Sequence, residues 1–481
     1  MRFHITRLIS GRVSRRLTAT VASLGLVLSL VAASGAGGDQ PPAQANDLRP
    51  LDIEAARTSL FAQPAALTEE IPIVLGAARG EATDLAALDA TIDFWTQRAE
   101  RDPRDFVALN QLGGLYLRRA RLAALPADLL RARDAFAQSV ESNRSRNVGG
   151  LIGLAHSEVY THHFTEGHTL ALEAIDLKPN AAYPRWVLGD ALLGLGQYDA
   201  AYKAFAHPAA LNGTLPAHAR LAHIEGLRGN LEAAELQWQL AIAADTGRLP
   251  EDTVWLHIQL GVFYMDAGRT DDAATQFQGA FDLKPADAAA LDGLAAVATA
   301  RGQLDEAIRI AEFLTDTQPS IESATLLADL YAATGQPDRA QLNLDLAFAL
   351  ERAQRAAGIA TDLDRAVLLV AAGDPASVAA AELAYEARPG IEAADTLAWA
   401  YYQAGELPLA QLFSQDALRH GTRHPDLLAH AGLIEFALGN QEAARELLGA
   451  VQAINPRYSA SEAPLVRAAL DRLGETAAPG G

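Results

Sequence analysis

A chain of 481 residues with 50% hydrophobic side chains can bury a large core. Its net charge of −20 leaves little of the basic surface that nucleic acid or an anionic membrane needs as a main partner. There is no cysteine, so disulfides, zinc–thiolate sites, cysteine nucleophiles and cysteine-linked lipids are excluded.

The first 16 residues carry Arg2, Arg7, Arg12, Arg15 and Arg16 and no acid; an apolar run over 17–33 and small residues over 34–38 follow. That order predicts an export signal over 1–34. Thr, Ser and Gly dilute the apolar run, which falls short of the ~20 residues of a comfortable membrane span. Cleavage is therefore the expectation, with an uncleaved anchor at 17–33 as the alternative. Residues 35–50 have no hydrophobic periodicity and read as a flexible linker. Over 51–105 the pattern turns helical: Leu85, Leu88, Ile92 and Trp95 share one face before Pro103, as expected of an amino-terminal cap with a degenerate half-repeat.

From there a ladder can be counted. Gly196, Gly229, Gly268, Gly302, Gly335, Gly373, Gly405 and Gly439 follow one another at spacings of 33, 39, 34, 33, 38, 32 and 34. Five positions after them stand Ala201, Ala234, Ala273, Ala307, Ala340, Val378, Ala410 and Ala444, and eight positions before them mostly leucine. A glycine can take the left-handed conformation that ends a first helix, and a small residue five positions later lets a second helix lie close to it. Residues 148–181 fit with His162 in place of the turn glycine. Residues 106–147 fit with about seven extra residues near 120–128, expected to lengthen the turn. The 359–390 unit, with Arg365 and Val378 off the pattern, reads as a joint between two stacks.

Helix–turn–helix units on a period near 34 are the signature of the tetratricopeptide repeat, and the chain resembles that family, in its exported bacterial form. The resemblance implies an all-α, right-handed superhelical solenoid of about ten stacked repeats over 106–458. A carboxy-terminal capping helix and tail would fill 459–481. It also implies a concave groove lined by the first helix of each unit. Carried over unit by unit, the groove residues are His156, Tyr160, Tyr183, Trp186, Asp190, His223, Trp255, Ile258, Met265, Trp399 and Tyr402. Lys occurs only at 178, 203 and 284, away from those positions, which argues against a clamp for a peptide's terminal carboxylate.

The expected function is a non-enzymatic scaffold, periplasmic or extracellular, that takes a protein or peptide segment in an aromatic groove. Membrane contact is expected only through an anchor at 17–33, and no nucleic-acid partner is expected. No Gly-x-Ser-x-Gly, His-Glu-x-x-His, phosphate loop or dinucleotide fingerprint occurs, so no catalytic residue, cofactor or metal ligand is expected. His156, His162, His163 and His168 invite a metal-binding or pH-responsive alternative, although their spacing matches no pair on one helix face.

Overall fold

The computed structural model describes residues 85–477 apart from 124–125, 208–209, 211–212 and 248–249. The expected signal, the linker and the first part of the cap lie outside the described residues. Among the described residues are twenty-two helices and no strand. Ten consecutive helix hairpins sit between a leading helix, α1 (Leu85–Arg101), and a closing one, α22 (Ala463–Ala477).

The first three hairpins pair α2 (Phe106–Ala123) with α3 (Pro126–Ser142), α4 (Val148–Tyr160) with α5 (Phe164–Leu177), and α6 (Tyr183–Gly194) with α7 (Tyr198–Phe205). Then come α8 (Leu215–Leu227) with α9 (Leu231–Ala244), α10 (Pro250–Asp266) with α11 (Thr270–Leu283), and α12 (Ala288–Ala300) with α13 (Leu304–Thr317). The last four are α14 (Ile321–Ala333) with α15 (Pro337–Ala356), α16 (Asp362–Ala371) with α17 (Ser377–Ala387), α18 (Ile391–Ala404) with α19 (Leu407–Leu418), and α20 (Pro425–Leu438) with α21 (Gln441–Ile454). The fold is an α-solenoid in which each helix packs on the next along the chain.

Local chemistry sets the hairpins. All eight turn glycines have positive φ, from 62° to 82°. The seven alanines five positions later are each 1% exposed or less, at the contact between the two helices of a pair. Phe277 on α11 fills the space over Gly261 of its own pair and Gly293 of the next, where a Cβ would come within 2.6 and 2.3 Å of its ring. Prolines in the first turn start α6, α8, α15, α19 and α20, where the missing N–H is not needed. Side-chain caps start others: Asn147 for α4, Asp287 for α12, and a Ser320–Ser323 capping box for α14.

One expectation is corrected. The extra residues near 120–128 extend helix rather than turn, because α2 runs to Ala123 and α3 starts at Pro126. The stretch Arg121-Leu-Ala-Ala-Leu125 is made of strong helix formers, and Pro126 suits a first helical position.

The array does not stay open. Turns in hairpins two to five touch the linkers that precede hairpins eight to ten or follow hairpin ten, about six repeat lengths later. Ala360 N donates to Thr161 O at 3.0 Å, and His162 Nδ1 lies 3.0 Å from Ala360 O, 198 residues away. Ile391 N donates to the Tyr198 hydroxyl at 2.9 Å across 193 residues. Gly229 sits under Gly421 O, Gly268 under Ile454 O, and the Arg457 side chain lies over Gly302. His424 Nε2 is 3.4 Å from Asp266 on α10. A second coil therefore lies directly on the first, and a shared core of Leu192, Leu193, Ile391, Ala394 and Leu427 joins them.

Candidate interaction site

The first helices of the hairpins carry the expected groove residues, and the packing of their side chains decides how much of that surface is free. In the first coil a buried ion pair joins two first helices. Arg220 on α8 binds the Asp190 carboxylate on α6 through Nε at 2.9 Å and Nη2 at 2.7 Å, and donates to Pro216 O at 3.2 Å. Burial raises the Asp190 carboxyl, opposed by the Arg220 charge. The guanidinium lies 5.5 Å over the Trp186 ring, whose Nε1 donates to Ala210 O at 3.2 Å.

Beside it, the Tyr183 hydroxyl is 2.7 Å from His156 Nδ1, and the His156 ring packs 4.6 Å from Tyr160. Burial, with a smaller push from Arg220, lowers His156 to about 3, so the ring is neutral at neutral pH. Five of the expected groove residues thus meet in one network, completed by Arg220. Farther along, Arg118 of α2 reaches Glu251 of α10 at 3.5 Å, linking first helices four hairpins apart.

The second coil uses a stack. Tyr402 lies on Trp399 at 4.5 Å and 8°, and Trp399 on His430 at 4.1 Å and 14°. Trp399 is 1% exposed. His430 Nδ1 meets Asp395 at 2.9 Å and Nε2 meets Glu462 at 3.4 Å. Burial works against a charge on this ring, but the two carboxylates hold its pKa well above the ordinary value. A protonated imidazole against an indole face adds a cation–π contact.

The expected groove residues therefore divide. His156, Trp186, Asp190, Ile258, Met265 and Trp399 are buried and pack the array together. Tyr160, Tyr183, Trp255 and Tyr402 are half-buried. His223 is half-buried too, but it lines two small cavities between the coils, each of about 60 Å³. Burial pushes it down to about 4.

The inner network depends on Arg220, Asp395, His430 and Glu462, which the repeat pattern did not single out. A signal was present: nine positions before the turn glycine, where other units have Val187, Gly293 or Leu326, stand Arg220, Gln259, Asp364 and His430. The four clustered histidines diverge. His156 bonds Tyr183, His162 faces Ala360, His163 contacts Thr161 and Glu158, and His168 lies on α5. Among the described residues no group of three or more His, Cys, Asp or Glu could hold a metal ion, and no helix is long and apolar enough to cross a membrane.

The outer helices carry most of the exposed large apolar residues, among them Leu236, Leu240 and Ile242 on α9, Leu342 on α15, Leu383 on α17 and Leu412 on α19.

No family model matches the chain, and no curated protein matches it. Among solved structures, the crystal structure of the APC/C hetero-tetramer Cut9–Hcn1 is similar over 81% of this chain and 94% of that one. The identity is 11% and the TM-score 0.32, a likeness between long helical arrays that carries no argument about partners.

Proposed function

We propose that this protein is a non-enzymatic scaffold that holds a protein or peptide segment, working in the bacterial cell envelope or outside the cell. The observation that carries the reading is the set of half-buried aromatics Tyr160, Tyr183, Trp255 and Tyr402. They lie on the first helices of a stacked helix-pair array that buries Trp186 and Trp399 in its own packing. Aromatic rings offer large contact area at low entropic cost, and stacked repeats hold them on a rigid frame.

The test is capture of the partner by the whole chain from an envelope fraction, beside a Trp255→Ala, Tyr402→Ala double variant that stays folded by circular dichroism. Loss of the captured partner in the variant supports the inner-surface site. Retention moves recognition elsewhere.

A second reading rests on the outer leucines. If a partner docks there, Leu236→Asp with Leu412→Asp removes it and the inner-surface variant does not. The envelope location follows from the signal-like residues 1–34. Amino-terminal sequencing of the exported protein is expected to find a start near residue 37; an intact 17–33 segment would instead make the protein a membrane-anchored assembly factor.

A further inference from the structure

Among the described residues, His162 is the sole non-glycine with positive φ, 64°. The same turn position in the eight later hairpins is glycine, for which that conformation carries no penalty. A side chain there is strained, so something must hold it. Two of the holding contacts are at the seam between the coils and one is within the hairpin. His162 Nδ1 lies 3.0 Å from Ala360 O, Ala360 N donates to Thr161 O, and the imidazole stacks on Phe164 at 5.7 Å and 18°. The turn of hairpin two is thereby clasped to the linker that enters hairpin eight.

The clasp suits a neutral ring. Arg388, from the next linker of the second coil, lines the same small cavity as His162 and lies 5.3 Å over Phe164. Burial first, then the Arg388 charge, lowers His162 to about 4; His163 pushes the same way, while Ala360 O and Glu322 push back. The cavity's other polar groups are His223, Tyr198 and Glu392.

We propose that the His162–Ala360 clasp is an acid-released latch. It holds the second coil on the first while the imidazole is neutral, and it lets the coils part at that end when the ring takes a proton beside Arg388.

One neighbour acts in the other direction. Burial raises Asp364 to about 6, and its charged neighbours Arg388 and Glu351 belong to the same coil, so parting the seam leaves that group in place. Farther along, Gly229 sits under Gly421 O, a backbone contact with no titrating group in it. The seam therefore opens from the His162 end and stays fastened where Gly229 meets Gly421. His162 has a lower proton affinity in the closed form, so the closed form loses stability as pH falls from 6.5 toward about 4 and regains it as pH rises.

Hydrogen exchange of residues 357–363, corrected for intrinsic rates, tests this on the full chain between pH 7.5 and 4.5. The opening constant of the wild type is expected to rise up to about tenfold per pH unit below 6.5. His162→Asn tolerates the left-handed backbone and can still bond Ala360, but it cannot titrate. Its exchange should be flat with pH relative to the wild type, and residues 421–424 should stay protected in both. His162→Gly, which keeps the turn and removes the ring, should exchange fast even at pH 7.5. Wild-type small-angle scattering needs no variant and should show a larger radius of gyration at pH 5 than at pH 7.5. An equal pH response in wild type and His162→Asn, no response in the wild type, or full protection in His162→Gly would each overturn the latch.

Discussion

Gly229 and Gly439 hold the same place in their hairpins and nearly the same backbone angle, φ 72° and 82°. Around Gly439 nothing lies within 4 Å of where a Cβ would be, whereas at Gly229 a Cβ would stand 2.1 Å from Gly421 O. Gly196 and Gly268 repeat the crowded case, each 2.5 Å from a carbonyl of the second coil, and Gly405 repeats the open one. In the second coil a turn glycine ends a helix. In the first it ends a helix and also lets another backbone rest on it. Identical motifs carry different loads depending on which coil lies above them.

The contrast between the coils can be tested by breaking each. Arg220→Ala in the first coil strands the buried Asp190 carboxylate and should cost about 3–5 kcal/mol. Loss of hydrogen-exchange protection in hairpins three and four, read separately from the rest of the array, would measure it. Gly229→Ala should come next, at about 3 kcal/mol, because backbone must shift as well as strain. Gly439→Ala pays only the left-handed penalty, about 1–2 kcal/mol. Equal losses in denaturant unfolding of these two variants would mean that the coils are not in contact in solution.

Acidity separates the coils more finely. His156 in the first coil is held near 3, below its ordinary 6.5, so its contribution is whole above pH 6.5 and lost as pH falls. By pH 5.5 the loss is about 1.4 kcal/mol, visible as faster exchange in α4. His430 in the second coil is raised, so its contribution is whole below 6.5 and lost as pH climbs through the raised value. The region around α20 should therefore loosen toward alkali. The same direction of change in both regions would contradict the opposite environments of the two rings.

The hairpins were legible in the sequence because Gly and Ala recur at a fixed offset, and a periodic signal survives weak individual matches. His162 could be placed at a turn by that offset alone. Its partner could not, since Ala360 belongs to a linker 198 residues away and nothing in either residue type records the pairing. The packing between first helices was half legible. Residues at the expected groove positions lie on the first helices, but whether Trp186 faces solvent or Arg220 depends on a charge at a position that several units give to a small or apolar residue. Buried charges read from sequence look like solvated ones until their partner in the next hairpin is known.

The seam also limits how such a chain can change in length. An open solenoid can gain or lose a repeat anywhere, because each unit touches only its neighbours. Here the number of hairpins between His162 and Ala360 sets which turn meets which linker. An extra unit inserted between Gly302 and Ala360 would put each of those linkers over the wrong turn, while one added after Arg457 would leave those matches intact. Inside the coil the repeats are counted, and only near the end are they free to multiply.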